Sequence, residues 1–390
     1  MRSPRDGMPA LMRTPRGMDV EITSRCNLRC RYCYFFDNPA EENVDLPTAE
    51  WVRFFEELGD CAVMNVCLSG GEPFLRPDLP ELLESIVANR MRFTILSNGA
   101  LIDDSIAMLL ANSNRCNHVQ ISVDGSGPSA HDACRGAGAF DGAVRGIRTL
   151  QRHGVPVAVR LTIHRYNVHD LEAAARFLLE ELGLPRFSTN SAGYVGACQR
   201  GGADLLLGPS QRVLAMKTVQ RLAARYPGRI QADAGPLADA SSWQRMEAAR
   251  ASNTEAFASG GRLTGCGCAF SKLAVRPDGI CIPCLMLPHV ELGRINRDSL
   301  SALWRDAEPL NRLRTRSRIS LSEFDYCDGC AYIPYCTGNC PGMAYALVGE
   351  VDHPSPDACL RDFLRDGGEI PSALSARGST WEAMNGSSAT

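Results

Sequence analysis

The 390-residue sequence lacks three features that would each assign it to a large class of proteins. It has no run of about 18 or more apolar residues, so no membrane-spanning helix is predicted. It has no excess of one charge, since 41 Lys and Arg residues stand against 44 Asp and Glu residues. A basic field that would attract nucleic acid or a lipid surface is therefore absent. Its first residues also lack the apolar stretch of a secretory signal, so we expect a cytoplasmic protein without nucleic-acid or membrane partners.

Cysteine, in contrast, is plentiful, with 17 residues. The number is odd, and a chain of this length does not need disulfides to hold its core. Three cysteines lie between Cys26 and Cys33, and nine lie between Cys266 and Cys359. Metal ligation in a reducing compartment explains such clustering better than disulfides or scattered buried side chains.

Between residues 18 and 190, short apolar stretches alternate with amphipathic helical patterns. The predicted strands are 20–22, 64–68, 93–96, 119–123, 157–162 and 186–188. The predicted helices are 48–58, 79–89, 105–111, 140–153 and 171–182. This alternation indicates a parallel sheet with right-handed crossovers. Because six units are too few to close an eight-stranded barrel, we predict an α/β fold with an open, partial (β/α)6 barrel.

The rest of the chain has a different character. Residues 191–261 are rich in Gly and Ala with helical stretches, and we predict a bridge there. Residues 262–362 are rich in Cys, Gly and Pro and contain a predicted hairpin of residues 272–275 and 280–283. Such a segment has too little periodicity for a large core, and bound metal is the usual substitute. The predicted organisation is a tail (1–17), the barrel (18–190), the bridge (191–261), a small Cys-rich domain (262–362) and a second tail (363–390).

A cysteine triplet, Cys26-x3-Cys30-x2-Cys33, directly follows the first predicted strand. In a β/α barrel this is the edge at which reactive groups gather. Three thiolates leave one corner of an iron–sulfur cubane open for a ligand. A structural zinc ion with a fourth ligand from elsewhere is the alternative.

Polar residues follow or end the next strands at the same predicted edge. They belong to the segments Gly70-Gly71-Glu72-Pro73, Ser97-Asn98-Gly99 and Ser122-Val123-Asp124-Gly125, and the fifth strand contains Arg160. Each segment alone is a common turn. Together they suit a zwitterionic ligand, with Glu72 for an ammonium group and Arg160 for a carboxylate. Ser97 and Ser122 would then serve ribose hydroxyls.

Cys26, Cys30, Tyr32 and Cys33, together with Gly70-Gly71-Glu72-Pro73, resemble the motifs of the radical S-adenosylmethionine (SAM) superfamily. The resemblance covers residues 18 to about 190. It implies a [4Fe–4S] cluster on the first-cluster cysteines, Cys26, Cys30 and Cys33, whose open iron is chelated by the amine and carboxylate of SAM. It also implies contacts of the cofactor with Tyr32, Gly70, Gly71, Glu72, Pro73, Ser97, Ser122 and Arg160.

A second dense pattern is similar to the SPASM extension found in radical maturases of peptides and proteins. It comprises Cys327-x2-Cys330-x5-Cys336-x3-Cys340, then Cys359, with Cys266 and Cys284 upstream. The resemblance implies one auxiliary cluster on Cys327, Cys330, Cys336 and Cys359, and another on Cys266, Cys284, Cys340 and a fourth ligand. We expect Cys268 as that ligand because it lies in the same turn, with Cys281 or an open iron as alternatives. Zinc ribbons on both groups are a further alternative.

The two resemblances imply an enzyme with three [4Fe–4S] clusters and SAM. Its 5′-deoxyadenosyl radical would abstract a hydrogen atom from a ribosomally made peptide, leading to a crosslink, an epimerisation or an excision. A maturase of a whole protein, such as a sulfatase-activating enzyme, and a non-catalytic iron–sulfur or zinc scaffold are the alternatives. The implied partners are the precursor peptide and an electron donor such as flavodoxin or ferredoxin. A separate protein would bind the leader unless residues 191–261 do so.

Six of the 17 cysteines fall outside these ligand sets. We expect Cys61, Cys67 and Cys116 in the core, Cys134 in a structural loop and Cys281 in the hairpin. Cys198 follows the sixth predicted strand in a Gly-flanked loop at the edge where a substrate would enter. Its thiol is a candidate hydrogen-atom donor to a substrate radical. The alternative is that a small residue simply fits the loop.

Overall fold

The computed structural model describes residues 11–35 and 45–372. Of the two predicted tails, residues 1–10 and 373–390 lie outside these ranges. The strands in chain order are β1 (Gly17–Thr23), β2 (Asn65–Gly70), β3 (Arg92–Ser97), β4 (Cys116–Ser122), β5 (Val157–Ile163), β6 (Phe187–Ser191), β7 (Ile230–Gln231), β8 (Lys272–Val275), β9 (Ile280–Ile282) and β10 (Gly293–Arg294). They form one sheet of order β10-β9-β8-β1-β2-β3-β4-β5-β6-β7.

Helices connect consecutive strands of the barrel and then dominate the rest of the described chain. They are α1 (Thr48–Asp60), α2 (Leu79–Ala88), α3 (Asp104–Asn112), α4 (Pro128–Arg135), α5 (Ala139–Arg152), α6 (Leu171–Arg176), α7 (Ala197–Gly201), α8 (Pro209–Arg225), α9 (Pro236–Ala251), α10 (Cys268–Ser271), α11 (Leu300–Asp306), α12 (Glu308–Thr315), α13 (Pro341–Val348) and α14 (Leu360–Arg365). None of the helices in the described ranges is long and apolar enough to cross a bilayer.

The barrel strands have one apolar face and one polar face. Val20, Leu68 and Ile95 exemplify the apolar face, which is fully buried in the main core. Because side chains alternate along a strand, the intervening residues point to the opposite side. We call this side the polar face; its members are Asp19, Glu21, Cys67, Gln120, Ser122, Arg160, Ser188, Asn190 and Lys272. An open, partial barrel therefore encloses a polar interior.

The predicted α/β fold with a partial barrel is confirmed, and all six predicted barrel strands are present. The sheet also extends across the predicted boundaries at residues 191 and 262. β7 adds to β6, and β8 pairs in parallel with β1 through the partners Gly17 and Lys272. β8 and β9 form the predicted antiparallel hairpin. The Cys-rich segment is thus joined to the barrel by backbone hydrogen bonds.

The placements of Cys134 and Cys67 differ from the sequence expectation. Cys134 lies in α4 and not in a loop, because Pro128 occupies the first turn of that helix, where its missing N–H costs nothing. Cys67 lies on the polar face beside Asp19 and Arg160 and not in the apolar core. Cys61 and Cys116 do pack with the main core.

Candidate active site

The first-cluster cysteines lie in the loop that follows β1, which we call the cysteine loop. All three are partly exposed. The loop is fixed from two sides by backbone hydrogen bonds. Arg31 N donates to the Cys134 carbonyl in α4 at 2.9 Å, and Ala197 N donates to the Cys33 carbonyl at 2.8 Å. Two other parts of the chain therefore hold the loop in place.

Gly70 and Gly71 let the end of β2 lie directly on the start of this loop. A Cβ atom on Gly71 would lie 2.0 Å from the Arg25 carbonyl oxygen, and one on Gly70 would lie 2.1 Å from that of Thr23. The close approach permits two hydrogen bonds of 2.8 Å, from Gly71 N to Thr23 O and from Glu72 N to Arg25 O. The glycine pair thus supports the first-cluster cysteines through the backbone.

Glu72 is buried at the end of this glycine segment, with 1% of its surface exposed. Its Oε1 accepts from Ser97 Oγ at 2.8 Å and from Phe74 N at 3.3 Å, and its Oε2 accepts from Asn98 N at 2.8 Å. Three donors leave about one of the four acceptor positions of a carboxylate for a ligand. Burial raises the pKa of Glu72 to about 7, although these hydrogen bonds act in the opposite direction.

Asn98 belongs to the same arrangement, and we did not predict it as a site residue. Its side-chain amide donates to Asn27 Oδ1, in the cysteine loop, at 2.8 Å. Asn98 therefore connects Glu72 to the loop between Cys26 and Cys30. The segment Ser97-Asn98-Gly99 was visible in the sequence, but only the hydroxyl was assigned a function.

Ser122 and Arg160 are register partners on β4 and β5. Both lie on the polar face and are partly exposed. Arg160 Nε is buried and has no hydrogen-bond partner among the described residues. A buried donor without a partner is costly, so this atom is available for a ligand.

Tyr32 contacts the site through a buried ion pair that the sequence did not reveal. Its hydroxyl donates to Asp124 Oδ2, and Arg135 Nε donates to the same oxygen at 2.5 Å. Arg135 Nη1 lies 3.9 Å from Cys30 Sγ. Burial would raise the pKa of Asp124, but the Arg135 guanidinium holds it below its usual value. Both members of the pair are therefore charged.

Glu21 is a further buried carboxyl group near the cysteine loop. It lies on the polar face with 4% of its surface exposed, and Tyr34 OH donates to it at 3.2 Å. Burial raises its pKa to about 8, so it is mostly protonated at pH 7. Further along the same face, Lys272 Nζ lies 2.6 Å from Asp19.

Four thiols meet beside the hairpin of β8 and β9. Cys266 Sγ and Cys268 Sγ are 2.9 Å apart, and the Cys268 thiol also forms a hydrogen bond with Cys284. Cys340, which precedes α13, is near enough to act electrostatically on Cys266 and Cys284. Cys281 is buried on the opposite side of the hairpin, in the main core. The structure therefore brings Cys268, and not Cys281, to this group.

The remaining cysteine group lines a single apolar cavity. Its members are Cys327, Cys330, Cys336 and Cys359. Tyr326, Tyr332 and Arg361 are among its other lining residues. Four thiols around one cavity are a ligand set that a [4Fe–4S] cluster could use.

Cys198 lies in a short helix next to the first-cluster cysteines and not in a loop, as the sequence had led us to expect. Cys198 belongs to α7, its side chain is fully buried, and its thiol donates to the Gly202 carbonyl at 3.1 Å. Burial raises the pKa of this thiol. The hydrogen bond from Ala197 N to the Cys33 carbonyl holds α7 against the cysteine loop, and Cys198 packs in a small buried cluster with Cys134 and Leu205.

The fold and the thiol groups together define an iron–sulfur enzyme built on a partial β/α barrel. A sequence profile described as the Radical SAM superfamily matches residues 20–178, and one described as the SPASM iron–sulfur cluster-binding domain matches residues 266–331. The chain belongs to the radical SAM superfamily and carries its SPASM domain. Membership implies iron–sulfur clusters and SAM as cofactors.

Curated relatives match the chain over most of its length. PqqA peptide cyclase of Granulibacter bethesdensis is 26% identical over 375 residues, which covers 93% of this chain and 91% of the relative. Fe-coproporphyrin III synthase of Methanosarcina barkeri is 30% identical over 347 residues, which covers 85% and 84%. The first of these relatives is named for a peptide that it cyclises, and the second for an iron porphyrin that it makes.

Solved structures share the fold at lower identity. SuiB of Streptococcus suis, bound to its precursor peptide SuiA, has a TM-score of 0.66 and 16% identity, covering 90% of this chain and 77% of that chain. Native anSMEcpe with bound AdoMet and a peptide also has a TM-score of 0.66 and 16% identity, covering 90% and 96%. Both support the partial barrel followed by a cluster-binding domain.

Proposed function

We propose that this enzyme modifies a ribosomally made peptide by radical chemistry. The observation that carries the proposal is the near full-length match to relatives named PqqA peptide cyclase. When bound at the first-cluster cysteines, a [4Fe–4S] cluster and SAM would supply a 5′-deoxyadenosyl radical for hydrogen abstraction. The protein's own contribution is orientation of the reactants and exclusion of water. The choice among crosslink, epimerisation and excision is left to experiment.

The predicted cofactor-binding residues would each contact a different group of SAM. Glu72 would accept from the methionine amine through its free acceptor position, since Ser97, Phe74 and Asn98 N–H or O–H donors fill the others. Arg160 would use its unpartnered Nε for the carboxylate, with Ser122 beside it for a ribose hydroxyl. The glycine pair would hold this edge against the cysteine loop.

The two groups of four thiols would each hold an auxiliary [4Fe–4S] cluster, giving three clusters in all. The first group is Cys266, Cys268, Cys284 and Cys340, and the second is Cys327, Cys330, Cys336 and Cys359. Four thiolates fill the four corners of a cubane and leave none for a substrate. We therefore infer that both auxiliary clusters transfer electrons. Their requirement for free thiolates suits the reducing cytoplasm.

The polar face would hold the reacting part of the peptide. It offers donors and acceptors such as Gln120, Ser188 and Asn190 on neighbouring strands, next to the partly exposed cysteine loop. Three partners are proposed for catalysis: the precursor peptide, an electron donor such as flavodoxin or ferredoxin, and a separate leader-binding protein. Modification of an iron porphyrin is the second candidate, supported by the 30% identity to Fe-coproporphyrin III synthase.

The experiment uses full-length protein purified and reconstituted without oxygen. Iron and sulfide are quantified, and 5′-deoxyadenosine is measured after reduction with SAM present. The protein is then incubated either with the precursor peptide encoded beside its gene or with an iron tetrapyrrole precursor of Fe-coproporphyrin III, and products are analysed by mass spectrometry. A mass change in the peptide alone supports the proposal. Formation of Fe-coproporphyrin III alone supports the second candidate, and zinc without sulfide overturns both.

A further inference from the structure

Arg135 is placed between a buried carboxylate and a first-cluster cysteine. Its Nε and Nη2 donate to the two oxygens of Asp124, at 2.5 and 3.3 Å. Its remaining terminal nitrogen, Nη1, lies 3.9 Å from Cys30 Sγ, within reach of a weak N–H···S hydrogen bond. Because the guanidinium is planar and rigid, the bidentate contact with Asp124 fixes the direction of Nη1 toward Cys30.

Asp124 is itself firmly held. It is completely buried, and besides Arg135 it accepts from Tyr32 OH and from Thr162 N, the latter at 2.9 Å. Thr162 lies on β5 and Tyr32 in the cysteine loop. Asp124 thus links the barrel wall to the loop and gives Arg135 a rigid base.

The charges of Arg135 and Asp124 are buried, so water screens them little and they act strongly on neighbouring groups. Arg135 is 8% exposed, and its guanidinium lies 5.3 Å from the ring centre of Tyr32, which covers it. Taking an ion pair out of water is expensive, and apolar residues of similar size are often at least as stable. An effect of its charge on the neighbouring redox site therefore explains this buried ion pair better than a contribution to stability does.

We propose that Arg135, oriented by Asp124, is a positioning residue that raises the reduction potential of the first cluster. The proposal rests on the proposed function only in requiring a [4Fe–4S] cluster on Cys30. Reduction adds one negative charge, and a nearby cation in a dry environment stabilises the reduced form more than the oxidised form. Hydrogen bonds to cluster sulfurs are a recognised means of tuning such potentials.

The test measures the midpoint potential of the first cluster in full-length holoenzyme without SAM. Potentiometric titration is followed by electron paramagnetic resonance. The signal of the first cluster is isolated by subtracting the spectrum of a variant whose three first-cluster cysteines are Ala. Arg135→Gln should lower the equilibrium constant for reduction at least tenfold, which is 59 mV for one electron. Arg135→Lys keeps the charge but not the bidentate contact with Asp124. Its midpoint potential should lie between those of Arg135→Gln and the wild type.

Arg152→Gln is the matched control. It also removes a guanidinium paired with an aspartate, Asp104, but this pair is exposed on the surface. Its potential should equal that of the wild type. An unchanged potential in Arg135→Gln at full iron content would overturn the proposal, as would a change in SAM affinity alone.

Arg135→Gln leaves Asp124 as an unpaired buried charge and could prevent cluster assembly. In that case the double variant Asp124→Asn, Arg135→Gln is compared with Asp124→Asn alone, because neither then contains an unpaired carboxylate. A lower potential in the double variant supports the proposal, and equal potentials overturn it. Failure of both to assemble the first cluster also overturns it, since the pair would then serve assembly. Failure of the proposed function is seen separately, as a wild-type protein without sulfide or 5′-deoxyadenosine.

Discussion

Glu72→Gln is expected to weaken SAM binding in a manner that depends on pH. Glu72 is buried and has about one acceptor position free, and the substitution removes the negative charge while keeping the shape. A hydrogen bond to an ionised acceptor contributes about 1.5–3 kcal/mol. At pH 8, where the carboxylate is mostly ionised, SAM affinity should therefore fall by roughly one to two orders of magnitude.

The pH dependence follows from the raised pKa of about 7 for Glu72 in the protein without ligand. Only the ionised carboxylate makes the strong bond to the amine, so SAM binding favours ionisation and lowers this pKa. Affinity of the wild type should rise with pH and level off above the pKa. Between pH 8 and pH 6 the ratio of wild-type to variant affinity should shrink by about tenfold. Titration of the SAM amine affects both proteins and cancels in the ratio.

The assay is equilibrium binding of SAM to oxidised, reconstituted protein between pH 6 and 8. Glu84→Gln on α2 is the control, because it removes an exposed carboxylate from the same part of the chain. Iron content and thermal unfolding establish that the variants are intact. Equal affinities of wild type and Glu72→Gln at pH 8, or a ratio that does not change with pH, would refute the reasoning.

Three further predictions concern residues around the cysteine loop. Replacing all three first-cluster cysteines by Ala should abolish 5′-deoxyadenosine formation and leave the auxiliary iron bound; loss of all iron would contradict independent sites. Gly71→Ala should destabilise the protein and reduce first-cluster iron, because its Cβ would lie 2.0 Å from the Arg25 carbonyl, whereas Gly127→Ala, with nothing within 4 Å, should be neutral in the same thermal and iron assays. Cys198→Ala should leave product yield unchanged, because its buried thiol is bonded to Gly202; loss of product with intact SAM cleavage would support hydrogen donation.

Local sequence patterns predicted most of the barrel. The six strands stand out because their apolar residues alternate with polar ones and because Gly- or Ser-containing turns end them. The pairing of β8 with β1 could not be predicted, since it joins Gly17 to Lys272 across most of the chain. Local periodicity carries no information about such a distant partner, and β8 has only four residues.

Site residues could be predicted where they belong to a short motif of neighbouring residues. The cysteine spacings and Glu72 are of this kind, and the structure gives each a defined environment. The contact of Arg135 with Asp124 was not predictable, because eleven positions and the start of a helix separate them. α4 has only eight residues and begins with Pro128, so its pattern is too short to identify a helix. The burial of Cys198 was not predictable for the same reason, because it packs against Cys134, which is distant in the sequence.

The junction of β8 with β1 has a consequence for the proposed chemistry. α10, which begins with Cys268, continues directly into Lys272 of β8, and Lys272 is level with the first residue of β1. The first-cluster cysteines follow the last residue of β1. The two thiol groups therefore lie toward opposite ends of one strand, about 20 Å apart along it at about 3.3 Å per residue.

Hydrogen bonds within a sheet, and not a linker, set this separation. A slip of β8 by one residue relative to β1 would turn Lys272 away from the polar face, where Asp19 lies. The salt bridge between them, at 2.6 Å, opposes such a slip. A substrate on the polar face would then lie between the site of hydrogen abstraction and an electron acceptor. Under the proposed function, this arrangement would suit a reaction in which a hydrogen atom is removed at one end and an electron at the other.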